Sequence, residues 1–453
     1  MVSPHSLDQI VKAYDIRGVY PDQIDAAVAR ALGTAFARFV LDGPDARTQI
    51  LIARDMRPSG VELVAAFTDG VLDQGLDVVD IGLASTDMIY FAAGFLDAPG
   101  AMFTASHNPA QYNGIKLCMA GAAPIGEDTG LATIKAIATD PPAPSGARGT
   151  RTERDLMADF VAHVHSFIDT SALRPLKVVA DTANGMGGLV VPAAFAGLPI
   201  DLEVMYPELD GTFPNHPADP IQVENLADLR ARVIEVGADV GLAFDGDADR
   251  VFLVDERGEP VSGSLTTALI AMSVLEKHPG SQIIHNLICS KAVPEVVREH
   301  GGEPIRSRVG HSFIKQVMAE TGAAFGGEHS AHYYFLDNYR ADSGLIASLL
   351  VLDEMSHADQ ELSVLRKPFE RYSASGEINT QVDDPLAAIE RIAQQYTGFE
   401  QDRLDGLSVD CGSWWFNLRP SNTEPLLRLN LEAQDRDQCD EHVVELLALI
   451  TDA

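Results

Sequence analysis

The sequence predicts an α/β protein of three related α/β units, each a mixed sheet between helices, followed by a smaller C-terminal α+β domain. Three observations predict it. Short β-branched runs alternate with helix-spaced runs through most of the 453 residues. Three separate apolar runs end abruptly in polar loops: "AMFTASHN" (101–108), "GLAFDGDAD" (241–249) and "AAFGGEHSAH" (323–332). Beyond residue 368 the pattern changes to a strand, a helix, several short strands and a closing helix.

Each element follows from local chemistry. In the first unit, 1–150, "QILIA" (49–53) reads as a short buried strand ahead of a helix-spaced segment. "DPPAPSGARGT" (140–150) is rich in Pro, Gly and Ala and marks the end of that unit. The second unit, 151–256, opens on an amphipathic run at 155–167 and continues with the strand "LKVVAD" (176–181). The turn "DERGEP" (255–260) divides it from the third unit, 257–367, whose first strand is "SQIIHNLI" (281–288). "LRKPFERYSASGE" (365–377) leads into the last unit, 368–453. There a helix at 384–395 precedes strands near 407–411, 413–418 and 427–433, and a helix at 437–451 closes the chain. The three apolar runs read as one α/β unit used three times. Functional groups gather at the carboxyl ends of strands in open α/β sheets, so three equivalent strand ends would converge on one cleft.

Bulk composition narrows the function. Lys plus Arg total 33 and Asp plus Glu 66, so the formal charge is 33 − 66 = −33. That field repels nucleic acid and anionic membranes, so neither is an expected partner. An anionic substrate needs a local basic patch that works against it. Cys118, Cys289, Cys411 and Cys439 are far apart, which argues against a disulfide framework or zinc site and fits a reducing cytoplasm. The N-terminus lacks the pattern of a signal peptide, and no apolar run is long enough to span a bilayer.

The polar loops carry the chemistry. "DGDADR" places Asp245, Asp247 and Asp249 at alternate positions after an apolar strand. In an extended loop three carboxylates so spaced aim at one point, as a hard divalent cation requires. An EF-hand is excluded, because Arg250 stands where that loop needs glycine and "VFLVD" continues as strand. Ser106 in "TASHNPAQYNGIK" reads as a nucleophile or a helix N-cap. Pro109 and the Asn113-Gly114 pair discourage a helix there, and no G-x-S-x-G elbow is present. A serine near a carboxylate cluster and Lys116 suits phosphoryl transfer, where positioning and charge neutralisation do most of the work.

"RPSNTEP" supplies Arg419, Ser421, Asn422 and Thr423 in a turn, a set that matches a phosphate monoester. "GGEHSAH" places Glu328, Ser330 and His332 on one side of an extended loop, where a carboxylate and a hydroxyl can bind vicinal sugar hydroxyls. An imidazole there can shuttle a proton. His329 points the other way in this reading. Lys291 and His311 are surface residues by default, and "YDIRG" (14–18) reads as a turn with Arg17 as an anion contact.

Taken in order, "TASHNP", "DGDADR", "GEHSAH" and "RPSNTEP" resemble the α-D-phosphohexomutase family along the whole chain, on its bacterial phosphomannomutase/phosphoglucomutase side. The resemblance implies four domains around a central cleft, the last of them TBP-like. It implies that Ser106 is the phosphoserine, and that Asp245, Asp247 and Asp249 hold Mg²⁺ with a phosphoserine oxygen. It makes Glu328 and Ser330 the sugar-recognition pair, and Arg419, Ser421, Asn422 and Thr423 the distal phosphate clamp. Arg17, Lys116, Arg250, Lys291, His311 and His332 match positions around the transferring phosphate, with Lys116 and His332 as acid/base candidates; Tyr14 joins the substrate-binding set. The implied reaction interconverts mannose 6-phosphate and mannose 1-phosphate, with glucose phosphates as further substrates. It runs through a hexose 1,6-bisphosphate that also acts as activator, in a cytoplasmic monomer or homodimer. Phosphoglucomutase and phosphoglucosamine mutase are the sister readings, and a non-catalytic sugar-phosphate sensor or a phosphatase-like hydrolase the outside ones. His329 and Ala331 stand where many dual-specificity members carry Met and Gly. Glucosamine-specific relatives usually carry Gln at the former, so "GEHSAH" argues against that specificity.

Overall fold

A computed structural model describes residues 4–420 and 426–451. Its first three sheets share one strand order. In the first sheet, Gln49–Arg54 lies between the parallel strands Asp77–Leu83 and Gly100–Phe103, and Tyr112–Cys118 adds antiparallel to the latter. In the second sheet Leu176–Asp181, Ile200–Met205, Val240–Phe244 and Val251–Asp255 repeat that arrangement. In the third, Gln282–Asn286, Glu303–Ser307, Phe325–Gly327 and Tyr333–Phe335 repeat it again. The internal repeat is therefore real. In each unit the turn from the third strand to the fourth starts at the carboxyl end of a central strand and carries one of the three polar loops.

The strands are buried β-branched runs, as parallel strands covered on both faces must be. Two sheets extend past the expected boundaries. Arg151–Glu153 pairs parallel with Asp77–Leu83, so the first sheet runs beyond residue 150. The Pro-rich linker does not end the unit. It folds back onto it, with Ser145 N–H donating to Asp73 and Gly149 N–H to Leu72, and so delivers an edge strand. Likewise Pro260–Val261 pairs with Leu253 and Val254 beyond the expected break at 256, because "DERGEP" is a hairpin tip. Asp255 closes that tip by accepting from the N–H groups of Arg257 and Glu259.

The last sheet is antiparallel, in the order Ser373–Gln381, Leu426–Ala433, Trp414–Pro420, Leu407–Asp410, Glu400–Asp402. Glu400–Asp402 is a strand the sequence reading passed over; it carries only three residues, all polar and acidic or amide. Pro385–Gln395, capped by Asp384, and Arg436–Thr451 are the helices of this unit.

One continuous apolar cluster runs through the first three units, from Leu51 through Phe244 and Phe325 to Phe369. The fourth has its own, centred on Phe416, Leu429 and Ile392. It meets the third unit through polar contacts, Lys291 with Asp410 at 2.8 Å and Tyr372 with Glu295 at 2.6 Å, and through a small patch of Leu287, Ile288 and Trp415. Among the described residues no helix is long and apolar enough to cross a membrane.

Separate cores predict separable stabilities. Phe416→Ala, in a fully buried position, is expected to cost about 3–5 kcal/mol within the C-terminal unit. Calorimetry should then show an early transition for that unit, with the main transition of the first three in place.

Candidate active site

The three polar loops meet. Ser106 follows the strand Gly100–Phe103 in a turn, not a helix: its φ is +50°, and Asn108 N–H donates to Ala105. Its N–H donates to Thr104 Oγ1 at 2.9 Å, and its Oγ donates to Asp245 Oδ2 at 2.7 Å, across the first two units. The loops touch at the backbone as well. A Cβ on Gly246 would lie 2.5 Å from the Ser106 carbonyl oxygen, so only glycine permits this approach.

The aspartates converge by a different geometry from the extended loop expected. Ala248 N–H donates to the Asp245 carbonyl and Ala248 has φ +61°, so residues 245–248 form a tight turn. The turn gathers the three carboxylates: each offers an oxygen, and those oxygens lie within 4.8 Å of one another. All three groups are buried. Lys116 Nζ lies 2.8 Å from Asp247 Oδ2 and 2.6 Å from Asp249 Oδ2; Thr86 donates to Asp247 at 2.6 Å, and Arg250 Nε to Asp245 at 3.0 Å. Burial and the neighbouring aspartates push Asp245 well above the usual carboxylate range, and burial with Asp247 raises Asp249. Burial acts on Asp247 too, but Lys116 and Thr86 outweigh it and hold that group low. Burial also opposes the Lys116 ammonium, yet the two aspartates keep its pKa well above an ordinary amine's. Lys116 thus stands between Asp247 and Asp249 as their counter-cation.

A hard divalent cation fits this donor set. The candidate ligands are carboxylate oxygens, and Asp247 Oδ1 and Asp249 Oδ1 are buried without a hydrogen-bond partner among the described residues.

Glu328, Ser330 and His332 also meet through a turn and not an extended loop. Ala331 N–H donates to the Glu328 carbonyl, and Ala331 has φ +64°. Ser330 Oγ lies 3.2 Å from His332 Nδ1, and His332 Nε2 is 3.6 Å from Asp249, which brings the third unit to the second. Glu328 accepts from Asn286, the Gly310 N–H and Tyr334 Oη, at 3.1, 3.1 and 2.7 Å. His329 shares Asn286 with Glu328, its Nδ1 lying 3.0 Å from the Asn286 amide, and burial lowers its pKa to about 3.

Arg17 donates to Asn108 of the serine loop and to Asp15, each at 2.5 Å. Tyr14 packs edge-on against His311 at 4.9 Å, so the first unit also touches the third. Burial lowers His311 well below the usual imidazole value, leaving it neutral, and among the described residues both its ring nitrogens lack a partner. Arg419 is buried, donates to Glu377 at 3.1 Å and lies within electrostatic reach of Glu328. Ser421, Asn422 and Thr423 lie outside the described residues. Lys291 does not join the cluster; its ammonium pairs with Asp410 on the last unit.

Sequence reading missed Arg57, Thr86, Asp342, Lys315 and Arg428. Arg57 is fully buried and donates to the carbonyls of Ser106, Asn108, Pro109 and Tyr112 at 2.8, 2.7, 2.9 and 3.0 Å. One side chain thus binds four carbonyls of the serine loop. Its only signal was its place just past the strand Gln49–Arg54. Lys315 pairs with Asp342 at 2.8 Å, both buried, and lies 3.7 Å over the Tyr90 ring. No motif marks either residue.

The comparisons with known proteins agree with this arrangement. Models of phosphoglucomutase/phosphomannomutase α/β/α domains I, II and III match residues 8–143, 158–258 and 262–372, and that of the C-terminal domain matches 377–449. The chain belongs to the phosphoglucomutase/phosphomannomutase family. A phosphomannomutase of Salmonella montevideo is 40% identical over 452 residues, covering 97% of this chain and 98% of that protein. A phosphomannomutase of Escherichia coli K12 is 40% identical over 435 residues, covering 93% and 94%. The crystal structure of a phosphoglucomutase/phosphomannomutase family protein from Burkholderia thailandensis superposes with a TM-score of 0.90 at 33% identity, over 100% of this chain and 99% of that one. The family's enzymes are isomerases that move a phosphoryl group within a hexose phosphate.

The close approach at Gly246 gives a direct prediction. Gly246→Ala forces the serine loop off Asp245 and should lower mutase turnover at least ~100-fold, as ångström-scale misplacement does. Circular dichroism should be unchanged, because the clash is confined to two loops.

Proposed function

We propose that this family member interconverts mannose 6-phosphate and mannose 1-phosphate, and glucose phosphates as well, through phospho-Ser106 and a hexose 1,6-bisphosphate. One observation carries the reading: the Ser106 hydroxyl is hydrogen-bonded to an aspartate of a buried three-carboxylate cluster. A structural serine has no need of that expensive neighbour. The substrate class rests on the phosphomannomutases that resemble this chain along nearly its whole length. The units we assign to the four roles are 1–150, 151–256, 257–367 and 368–453, with the sheet overlaps described above.

In this reading Asp245, Asp247 and Asp249 hold Mg²⁺, which supplies neutralisation of phosphoryl charge. Arg17, Lys116 and Arg250 flank the same place as cations, and Lys116 joins His332 as an acid/base candidate. The P–O bond to Ser106 Oγ breaks as a sugar hydroxyl oxygen bonds to phosphorus. His332 accepts the hydroxyl proton, since its ring stands beside Asp249 and Ser330. Glu328 and Ser330 take the sugar hydroxyls. The bisphosphate turns round, and Ser106 Oγ receives the other phosphoryl group as the proton returns. Arg419, with Ser421, Asn422 and Thr423, holds whichever phosphate is distal. His311 and Tyr14 line the passage between the first and third units. Lys291 acts at the seam with the last unit, where its pairing with Asp410 puts it.

Mass spectrometry of purified protein should find phosphate on Ser106. Ser106→Ala should abolish isomerisation of mannose 1-phosphate, by at least ~10⁴-fold, while calorimetric binding of the sugar phosphate persists. Normal turnover by the alanine variant, or free phosphate as the main product, would refute the scheme. Chelation of divalent ions should stop turnover and added Mg²⁺ should restore it.

A further inference from the structure

The last sheet holds an arrangement that the mutase scheme leaves unused. Arg419 and Arg428 face each other in antiparallel register, so their side chains share a face of the sheet. Glu377 lies on the neighbouring strand, paired with Asn430, diagonally across from Arg428 on that same face. Its two carboxylate oxygens go to different arginines: Oε2 accepts from Arg419 Nη2 at 3.1 Å, and Oε1 lies 3.2 Å from Arg428 Nη1. One carboxylate thus bridges two guanidiniums. The Nε–H of each guanidinium is buried and has no acceptor among the described residues. Glu377 comes directly after a slip in strand pairing between Ala374 and Glu377, beside Gly376 at φ +70°, and the slip sets which face it presents.

Neither guanidinium is saturated. Glu377 serves both, and the second carboxylate near Arg419, Asp405, is 3.8 Å away and also accepts the Val309 N–H. Each arginine keeps a buried Nε–H to offer an anion, and its attraction for that anion is reduced by the carboxylates already in place. In a mutase this matters, because the bisphosphate must release its distal phosphate to turn round. Without Glu377 the two arginines would hold a dianion more tightly.

We propose that Glu377 tunes the distal-phosphate clamp: by bridging Arg419 and Arg428 it weakens their hold on phosphate, and so lets the bisphosphate intermediate leave the clamp and turn round. Arg428 is accordingly the clamp's second guanidinium. The proposal rests on the mutase reading above. Glu377 touches no reacting atom; it acts through the two arginines as a positioning residue.

The test compares wild-type protein with Glu377→Gln and Glu377→Asp, recording kcat and KM for mannose 1-phosphate and the Tm of each. Glu377→Gln is expected to lower KM roughly three- to tenfold, as removal of one anion beside a bound dianion does, and to lower kcat with it. Glu377→Asp should return both toward wild type. An unchanged or raised KM in Glu377→Gln at unchanged Tm overturns the proposal. Should the variant be destabilised, the Kd of glucose 1,6-bisphosphate is measured in Ser106→Ala and Ser106→Ala/Glu377→Gln. Tighter binding by the double variant supports the proposal, and equal or weaker binding overturns it. The same binding comparison separates the two readings. If wild-type protein isomerises no hexose phosphate, the mutase assignment fails, yet the double variant still decides whether Glu377 weakens the clamp.

Discussion

The site depends on burying three carboxyl groups together at a seam between units. Asp245, Asp247 and Asp249 are almost wholly shielded from water, where unpaired carboxylates are prohibitively costly. They persist because cations come to them from other parts of the chain: Lys116 from the first unit, and Arg250 from the end of their own turn. Thr86 and the Ser106 hydroxyl add hydrogen bonds from the first unit. None of these groups makes sense alone. Lys116 is a buried ammonium whose pKa the aspartates raise against burial, and Lys116 and Thr86 in turn lower that of Asp247. The requirement for mutual neutralisation ties the first unit to the second and sets Ser106 beside the carboxylates in one step.

The rest of the architecture holds that contact in register. Arg57 fixes the serine loop through four carbonyls, so the position of Ser106 does not depend on the loop's own preferences. Asp87, also buried, accepts from Ser343 at 2.6 Å and joins the first unit to the third behind the site; burial raises its pKa to about 7. A common apolar core runs beneath all three loops. The fourth unit is attached differently, by ion pairs and one small apolar patch, with its own core behind the arginines. The serine and aspartate loops thus sit on the three units that share one core, and Arg419 and Arg428 sit on the unit with a core of its own.

Much of this was legible in the residues. The strand cores at 49–53, 176–181 and 282–286 are apolar runs that only a covered sheet can use, and the three polar loops follow their third strands in the same way each time. Where the reading went astray, distance along the chain was the cause. It treated 245–249 and 328–332 as extended, whereas Ala248 and Ala331 take left-handed φ and fold both into turns. A tight turn and an alternating strand can both present positions i, i+2 and i+4 on one side, so the spacing alone did not separate them. It placed Lys291 in the cleft, but its partner Asp410 lies 119 residues further on and draws it to the last unit.

The amino-acid sequence by itself determined the repeat, the sheet type and the loops that hold serine, aspartates and clamp arginine. Those depend on local periodicity, turn chemistry and the identity of charged residues, all of which are properties of short segments. Only the tertiary structure decided which charges neutralise which, that Arg57 ties down the serine loop, and that Glu377 bridges two arginines. Pairing energies depend on burial and on separations of a few ångströms between residues far apart in the chain, and neither quantity exists until the chain has folded.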